Sequence, residues 1–531
     1  MNKSSLFSVV ILISVGLLSV LLRTDLITSP TVYDFEWNSS TVLRHIEIWN
    51  NTSIAVHHFV PSVTFEGQAD KHINNHSSIQ WGRLGYEGDD GNFYYVTYPP
   101  FGYIAPYFVF KLLQIDPNIS ALRIFNIFIQ LSTGLVLCAL VTSLTQRRWP
   151  GIVAYTLYIF APISFFMHLT NYMSDMFVQL LFVIGIFLFY KVILYTDRNV
   201  KIPRYLLVLF AVNLFAMVYT EWIGLFFAAA ITVYALARYK KNTHEHPLLW
   251  TSIFIPLVTL MGILFQYASV GSMSAFLHTM QDRYFKGYIP TDMDVNPLLV
   301  QMSGLAGHYL NWLWPFGLLS LISCITLLLL KLYYTDLFLL SNRKKIAVYV
   351  LYVAALPVVI HHIVFLNWSA FEIHYFSILK ATPFFAILIS LVAYKLWYLP
   401  AHTHSTRGVL KGGVVVFLFL LIYLSLGVFS KELENMHIAD SDSYCKVGSY
   451  IGSTSSADEV IFLRPLSWDR FNYIISPVLV LCAHRNMQLY SDNENALLLM
   501  QKNNTSKGII FDSDLVDGKT VIVNYERIAK E

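Results

Sequence analysis

The chain carries two carboxylates, Asp34 and Glu36, about ten residues beyond the end of its first long apolar run. They open an extramembrane stretch, Tyr33 to Tyr107, that separates this run from the next. A carboxylate held near the surface of a membrane can take a proton from an acceptor hydroxyl as that hydroxyl attacks a lipid-bound group. Arg44, His45 and Glu47 follow closely, interleaved with Val42, Leu43, Ile46, Ile48 and Trp49. That spacing predicts a short amphipathic helix lying at the interface, with its acids at headgroup depth. The plainer alternative is a set of solvated loop charges.

Other ionisable residues fall at the same expected level. Asp175 heads an apolar segment directly after Asn171-Tyr172-Met173-Ser174, Glu221 interrupts a long apolar run, and Glu372 and His374 precede another. Charges at the edge of hydrocarbon are costly, so they tend to face a cavity and find partners. For Asp175 the competing expectation is a first-turn acid favoured by the helix dipole. Lys380 sits inside His374-Tyr375-Phe376-Ser377-Ile378-Leu379-Lys380, one or two turns below the outer surface. It can snorkel to the interface or bind a phosphate oxygen, and Arg283 and Lys286 are further phosphate candidates. His361 and His362 are read as packing residues. Tyr98, at the head of Tyr98-Pro99-Pro100-Phe101-Gly102-Tyr103, completes the substrate-binding set.

The histidines of the early stretch (His45, His57, His58, His72, His76) lack the helical His-Glu-x-x-His spacing of a zinc hydrolase, and no structural zinc pattern occurs. No protein-bound metal is expected. A divalent cation, magnesium or manganese, could still be shared between carboxylates and a substrate phosphate. Asn-X-Ser/Thr triplets at Asn38, Asn51, Asn75, Asn118, Asn367 and Asn504 would be usable only in a eukaryotic lumen.

The elements that must position these groups are membrane helices. Of 531 residues, 56% are hydrophobic and only 13% charged, which marks a polytopic α-helical membrane protein. The net charge of +3 is spread in short basic clusters, which argues against nucleic acid as a partner. Taking about 20 apolar residues per span, about eleven spans are expected, near 5–22, 119–143, 150–168, 174–194, 204–220, 222–238, 249–269, 310–332, 346–366, 376–397 and 410–429. Lys and Arg collect in alternate connections, which places the N-terminus in the cytoplasm and the acids outside. Residues 1–430 then form a transmembrane catalytic domain with a long first outer loop over 23–118, and 431–531 a small extracytoplasmic α/β domain. Strands are expected at Val460–Leu463, Gly508–Phe511 and Thr520–Val523, and a helix over Glu494–Lys502. Cys445 and Cys482 share that tail, where a disulfide is permitted.

A single span, a long outer loop opening on Asp34-Phe35-Glu36, a Pro-Pro element closing that loop, a second acid at Asp175 and a C-terminal outer domain together resemble the GT-C integral membrane glycosyltransferases. That class includes the protein O-mannosyltransferases and the lipid A aminoarabinose transferase. The resemblance covers roughly the first 240 residues in detail and the remainder in layout. It departs from the commonest form of the acidic motif, because Phe35 separates the two acids.

The resemblance implies an enzyme that moves a sugar from a polyprenyl-phosphate or dolichyl-phosphate donor to an acceptor hydroxyl, with inversion. It implies Asp34 as the base, with Asp175 and Glu36 beside it. Partners would be the lipid-linked donor and a glycan, lipid or protein acceptor. The setting points first to the bacterial cytoplasmic (inner) membrane and second to the endoplasmic reticulum. Two other readings stand beside it: a multi-pass transporter, which calls for charges near span midpoints, and a polysaccharide polymerase or ligase of another fold, which calls for large later loops.

Overall fold

The computed structural model describes residues 3–29, 36–65, 67–73, 86–239, 246–274, 276–277, 297–333, 342–369, 372–398, 404–435, 441–466, 477–490, 492–516 and 519–529. Asp34, Arg283 and Lys286 lie outside this set, and of Glu36 and Glu372 only the backbone is described.

The chain begins with α1 (Lys3–Leu21) and a short α2 (Thr24–Thr28), followed by α3 (Glu36–Thr52). A small hairpin of β1 (Tyr86–Glu87) and β2 (Phe93–Tyr94) precedes α4 (Phe101–Leu113). This apolar helix falls inside the stretch read as an outer loop. Then come α5 (Ile119–Thr145), α6 (Arg148–Phe160), α7 (Pro162–Thr170), α8 (Ser174–Asp197), α9 (Arg204–Val218), α10 (Ile223–Tyr239) and α11 (His246–Ser269). The bundle continues through α12 (Pro297–Tyr333), α13 (Asn342–Val364), a 3₁₀ segment Glu372–Ala381, α14 (Thr382–Trp397) and α15 (His404–Asn435).

Among the described residues five helical segments are long and apolar enough to cross a membrane: Ile119–Thr145, Ser174–Asp197, His246–Ser269, Lys345–Val364 and His374–Trp397. The pair α6 and α7, bent by 55°, makes a sixth if it is one span. The segment expected as a span over 150–168 is thus bent within its length. Pro162 supplies no N–H to the preceding turn and its ring obstructs it, so the chain turns there. Such a break is tolerated in a membrane where neighbours satisfy the freed backbone. Here α5 does so: Gln130 Nε2 donates to the Ile159 carbonyl at 3.0 Å, and Asn126 Nδ2 donates to the carbonyls of Met167 (3.1 Å) and Asn171 (2.6 Å). Every residue of α7 is buried as a result.

The C-terminal elements are α16 (Ser441–Thr454), β3 (Glu459–Pro465), α17 (Pro477–Ala483), β4 (Met487–Leu489), α18 (Asn493–Lys502), β5 (Lys507–Val516) and β6 (Lys519–Ala529). They form one sheet of order β4-β3-β5-β6, parallel except for the β5–β6 pair. The three expected strands and the helix capped by Asp492 are all present. The three-residue β4 was too short to show a period of its own. Cys445 is joined to Cys482, tying α16 to α17.

This sheet shares its packing with the early loop. Ile48 and Phe65 belong to one core with Ile461, Leu463, Ile509 and Phe511, and Ala69 and Ile73 to another with Val460, Phe462 and Ile510. Asp70 accepts from Arg485 Nε (3.1 Å) and from the Asn486 amide (3.0 Å), while Arg44 donates to Asn486 Oδ1 (3.0 Å). Helix α3 thus packs on both sides, its Val42, Leu43, Ile46 and Trp49 in the bundle core and its Ile48 in the core shared with the sheet. Its His45 is fully buried, and burial holds the imidazole down at about 3. The neutral ring donates from Nδ1 to the Ser62 carbonyl at 2.6 Å.

Candidate active site

Asp175, Glu221, His361 and Lys380 come from four separate segments and meet in one buried cluster. The first turn of α8 carries Asp175, at the helix N-terminus and against a cationic partner. Glu221 lies in the turn between α9 and α10, where its Oε2 accepts from the Ile223 amide at 2.7 Å. His361 comes from the last turn of α13, and Lys380 from the end of the 3₁₀ segment.

The Lys380 ammonium donates to Asp175 Oδ1 and stands 3.8 Å from Glu221 Oε1. His361 Nε2 reaches the same Glu221 oxygen at 3.1 Å. Lys380, Asp175 and Glu221 side chains are each only 1% exposed, so Lys380 does not snorkel. Buried charges of opposite sign offset one another only when close and hydrogen-bonded, and this arrangement meets that condition. His361, read from the sequence as a packing residue, is part of the polar cluster.

The backbone around the cluster is fixed by the Pro-Pro element. Phe101 N donates to the Tyr219 carbonyl at 3.0 Å, on the turn that holds Glu221. Tyr172 OH donates to the Gly102 carbonyl at 2.7 Å, just ahead of Asp175. Gly102 is required there: a Cβ would meet Ser174 Oγ at 2.4 Å and its Cα at 2.9 Å. Pro99 and Pro100 thus lead α4 into a position where it touches both acid-bearing turns. Tyr98 is buried and its carbonyl accepts from Tyr267 OH at 2.9 Å. Ser39 Oγ on α3 accepts from the Tyr172 amide at 2.9 Å, which brings the start of α3, and Glu36 with it, toward the same junction.

Several polar atoms near Asp175 carry no hydrogen-bond partner among the described residues: Asp175 Oδ2, both amide atoms of Asn171, both of Gln179, and His361 Nδ1. A buried polar atom left unpaired costs about 1–3 kcal/mol, so a group of them marks a place for a polar ligand or water. Asn171 and Gln179 were missed in the sequence. Their signal was present, since Asn171, Asp175 and Gln179 recur every four residues. His374 is buried at a kink in the 3₁₀ segment (φ −107°, ψ 19°), its ring against Phe376.

No protein-family model and no curated protein matches the chain. Solved structures do. The archaeal oligosaccharyltransferase AglB from Archaeoglobus fulgidus, in complex with an inhibitory peptide and a dolichol-phosphate, aligns at a TM-score of 0.57 and 9% identity, over 96% of this chain and 70% of that one. The apo Archaeoglobus fulgidus oligosaccharyltransferase aligns at 0.56 and 10% identity, over 95% and 69%. The fold is that of the GT-C membrane glycosyltransferases. ArnT from Cupriavidus metallidurans bound to undecaprenyl phosphate aligns at 0.48 and 12% identity, over 95% and 93%.

Among the described residues no three His, Cys, Asp or Glu side chains converge as a metal site would need. Asp175 and Glu221 in particular do not fit a divalent ion between them, because the Lys380 ammonium holds that position.

Proposed function

We propose that this protein transfers a sugar from a polyprenyl-phosphate or dolichyl-phosphate donor to an acceptor hydroxyl at the outer face of a membrane. The observation that carries the reading is the buried Lys380 ammonium held between Asp175 and Glu221, with Asp175 Oδ2 and His361 Nδ1 left without a partner among the described residues. An ammonium has three donors. One is given to Asp175 and Glu221 stands 3.8 Å away, which leaves donor capacity for a phosphate oxygen in this reading.

In this reading Asp34 takes the proton from the acceptor hydroxyl as its oxygen attacks the anomeric carbon. The bond from that carbon to the phosphate oxygen breaks, and the electron pair leaves with the lipid phosphate, whose charge Lys380 stabilises. A single displacement inverts the anomeric centre. Asp175 and Glu221 hold the ammonium in place. Arg283, Glu372 and His374 are candidates for donor contacts and Tyr98 for the pocket wall. A magnesium or manganese ion carried on the donor phosphate would find its carboxylates in Asp34 and Glu36, since Asp175 and Glu221 are turned on Lys380.

The remaining elements follow the same reading. About eleven spans, a cytoplasmic N-terminus and an outer C-terminus place residues 1–430 in and around the membrane and 431–531 outside it. The bacterial inner membrane suits this layout first and the endoplasmic reticulum second. Asp34→Asn assayed for sugar transfer in membranes tests the role of the base: transfer is expected to fall by at least about a hundredfold, and a variant as active as the parent would sink it.

A further inference from the structure

One face of helix α3 borders open space at its far end. A cleft of about 660 Å³ runs between that face, the α16–α17 pair and the start of α5. Its α3 wall is a helical stripe, Ser40, Leu43, Glu47 and Asn50. From Ser40 to Asn50 the stripe runs about 15 Å at helical rise. The near end meets Thr28 and Ser29, the last described residues before Asp34, and Ser40 stands one turn after Glu36. Ser39, next to Ser40, accepts from the Tyr172 amide just ahead of Asp175, so the buried end of the cleft adjoins that junction, while Asn50 at the other end is exposed.

The lining is specific in its chemistry. Ser40 is 1% exposed, and its hydroxyl has no partner among the described residues. Glu47 bonds to His484 across the cleft, and Asn50, Asn51 and Asn118 add amides along its edge. Leu43 faces Val478 and Leu481 as an apolar strip. No Lys or Arg lines it among the described residues. Amides, hydroxyls and one carboxylate match the hydroxyl edge of a sugar ring, and the apolar strip matches its C–H face.

An anionic, phosphate-bearing acceptor would find no cation here. A peptide would find no strand edge among the described lining residues, and main-chain recognition relies on such edges.

We propose that this cleft binds a neutral glycan as the acceptor, its terminal hydroxyl presented at the Ser40 end. The proposal rests on the glycosyl-transfer reading for the word acceptor, but not for the binding itself. The test is binding of the full chain in nanodiscs to an array of neutral oligosaccharides, the same backbones bearing phosphate or uronate, and unmodified peptides. Ser40→Trp fills the buried end. Asn50→Arg alters an exposed residue at the other end and cannot disturb a core.

Wild type is expected to retain neutral oligosaccharides, and each variant to lose at least about tenfold of that affinity. Retention of none of them, preference for phosphate-bearing glycans or peptides, or unchanged binding by Asn50→Arg overturns the proposal. Neutral-glycan binding by a protein that releases no lipid phosphate from a donor would instead overturn the glycosyl-transfer reading and leave the cleft as a binding site.

Discussion

Two charged regions of this molecule are built on opposite terms. The inner cluster joins Lys380 to Asp175 and Glu221 with 1% exposure on every side chain. The outer network joins the early loop to the C-terminal sheet through pairs such as Lys502–Glu87, with 50% and 35% exposure, and Arg485–Asp70, with 13% and 2%. In water, as at Lys502–Glu87, a charge that loses its partner is solvated at once. Inside the bundle it is not, so the inner cluster is expensive to break. The outer network clamps one surface to another by many weak links and two shared apolar cores.

Lys380→Met should expose this difference most. It leaves two buried carboxylates without their cation, an expected loss of about 3–5 kcal/mol, together with loss of sugar transfer. Thermal unfolding in detergent and a transfer assay check the two effects separately, and full transfer by a folded variant would break the comparison. Arg485→Ala comes next. It strips Asp70, itself buried, of its cation and is expected to cost about 1–3 kcal/mol, read as looser docking of the C-terminal sheet by hydrogen exchange, with transfer largely kept.

The smallest effect belongs to Glu87. Burial raises its carboxyl, but the hydrogen bonds and charges of Lys502 and His72 outweigh burial and hold it below the usual range. An acid depressed in the folded state stabilises it above the ordinary carboxylate range, near pH 4.3, and loses that contribution as pH falls through the folded value. Lys502→Ala should flatten this acid dependence while costing under about 1 kcal/mol at neutral pH. An unchanged acid limb in the unfolding profile would show that the pair contributes nothing.

The sequence disclosed the inner cluster better than the outer clamp. Asp175, Glu221 and Lys380 are conspicuous because ionisable groups in apolar runs are rare, so their shared level could be read from position alone. His361 was not, since a histidine late in a span looks the same whether it packs or pairs. The outer clamp was illegible because Asp70 and Arg485 are ordinary loop charges, 415 residues apart. Nothing local distinguishes a polar residue that meets a distant sheet from one that meets water. The same reason hid the burial of α3: its amphipathic spacing suits a membrane surface and a protein groove equally. The break at Pro162 was written in the sequence, whereas its consequence depended on Gln130 and Asn126 from a neighbouring helix.

The central claim is that Lys380 serves a lipid phosphate. The most direct measurement is mass spectrometry of lipids that co-purify with the wild-type chain and with Lys380→Met. A polyprenyl or dolichyl phosphate, free or sugar-linked, is expected on the wild type and absent from the variant. Its absence from both, or equal retention by both, would contradict the account.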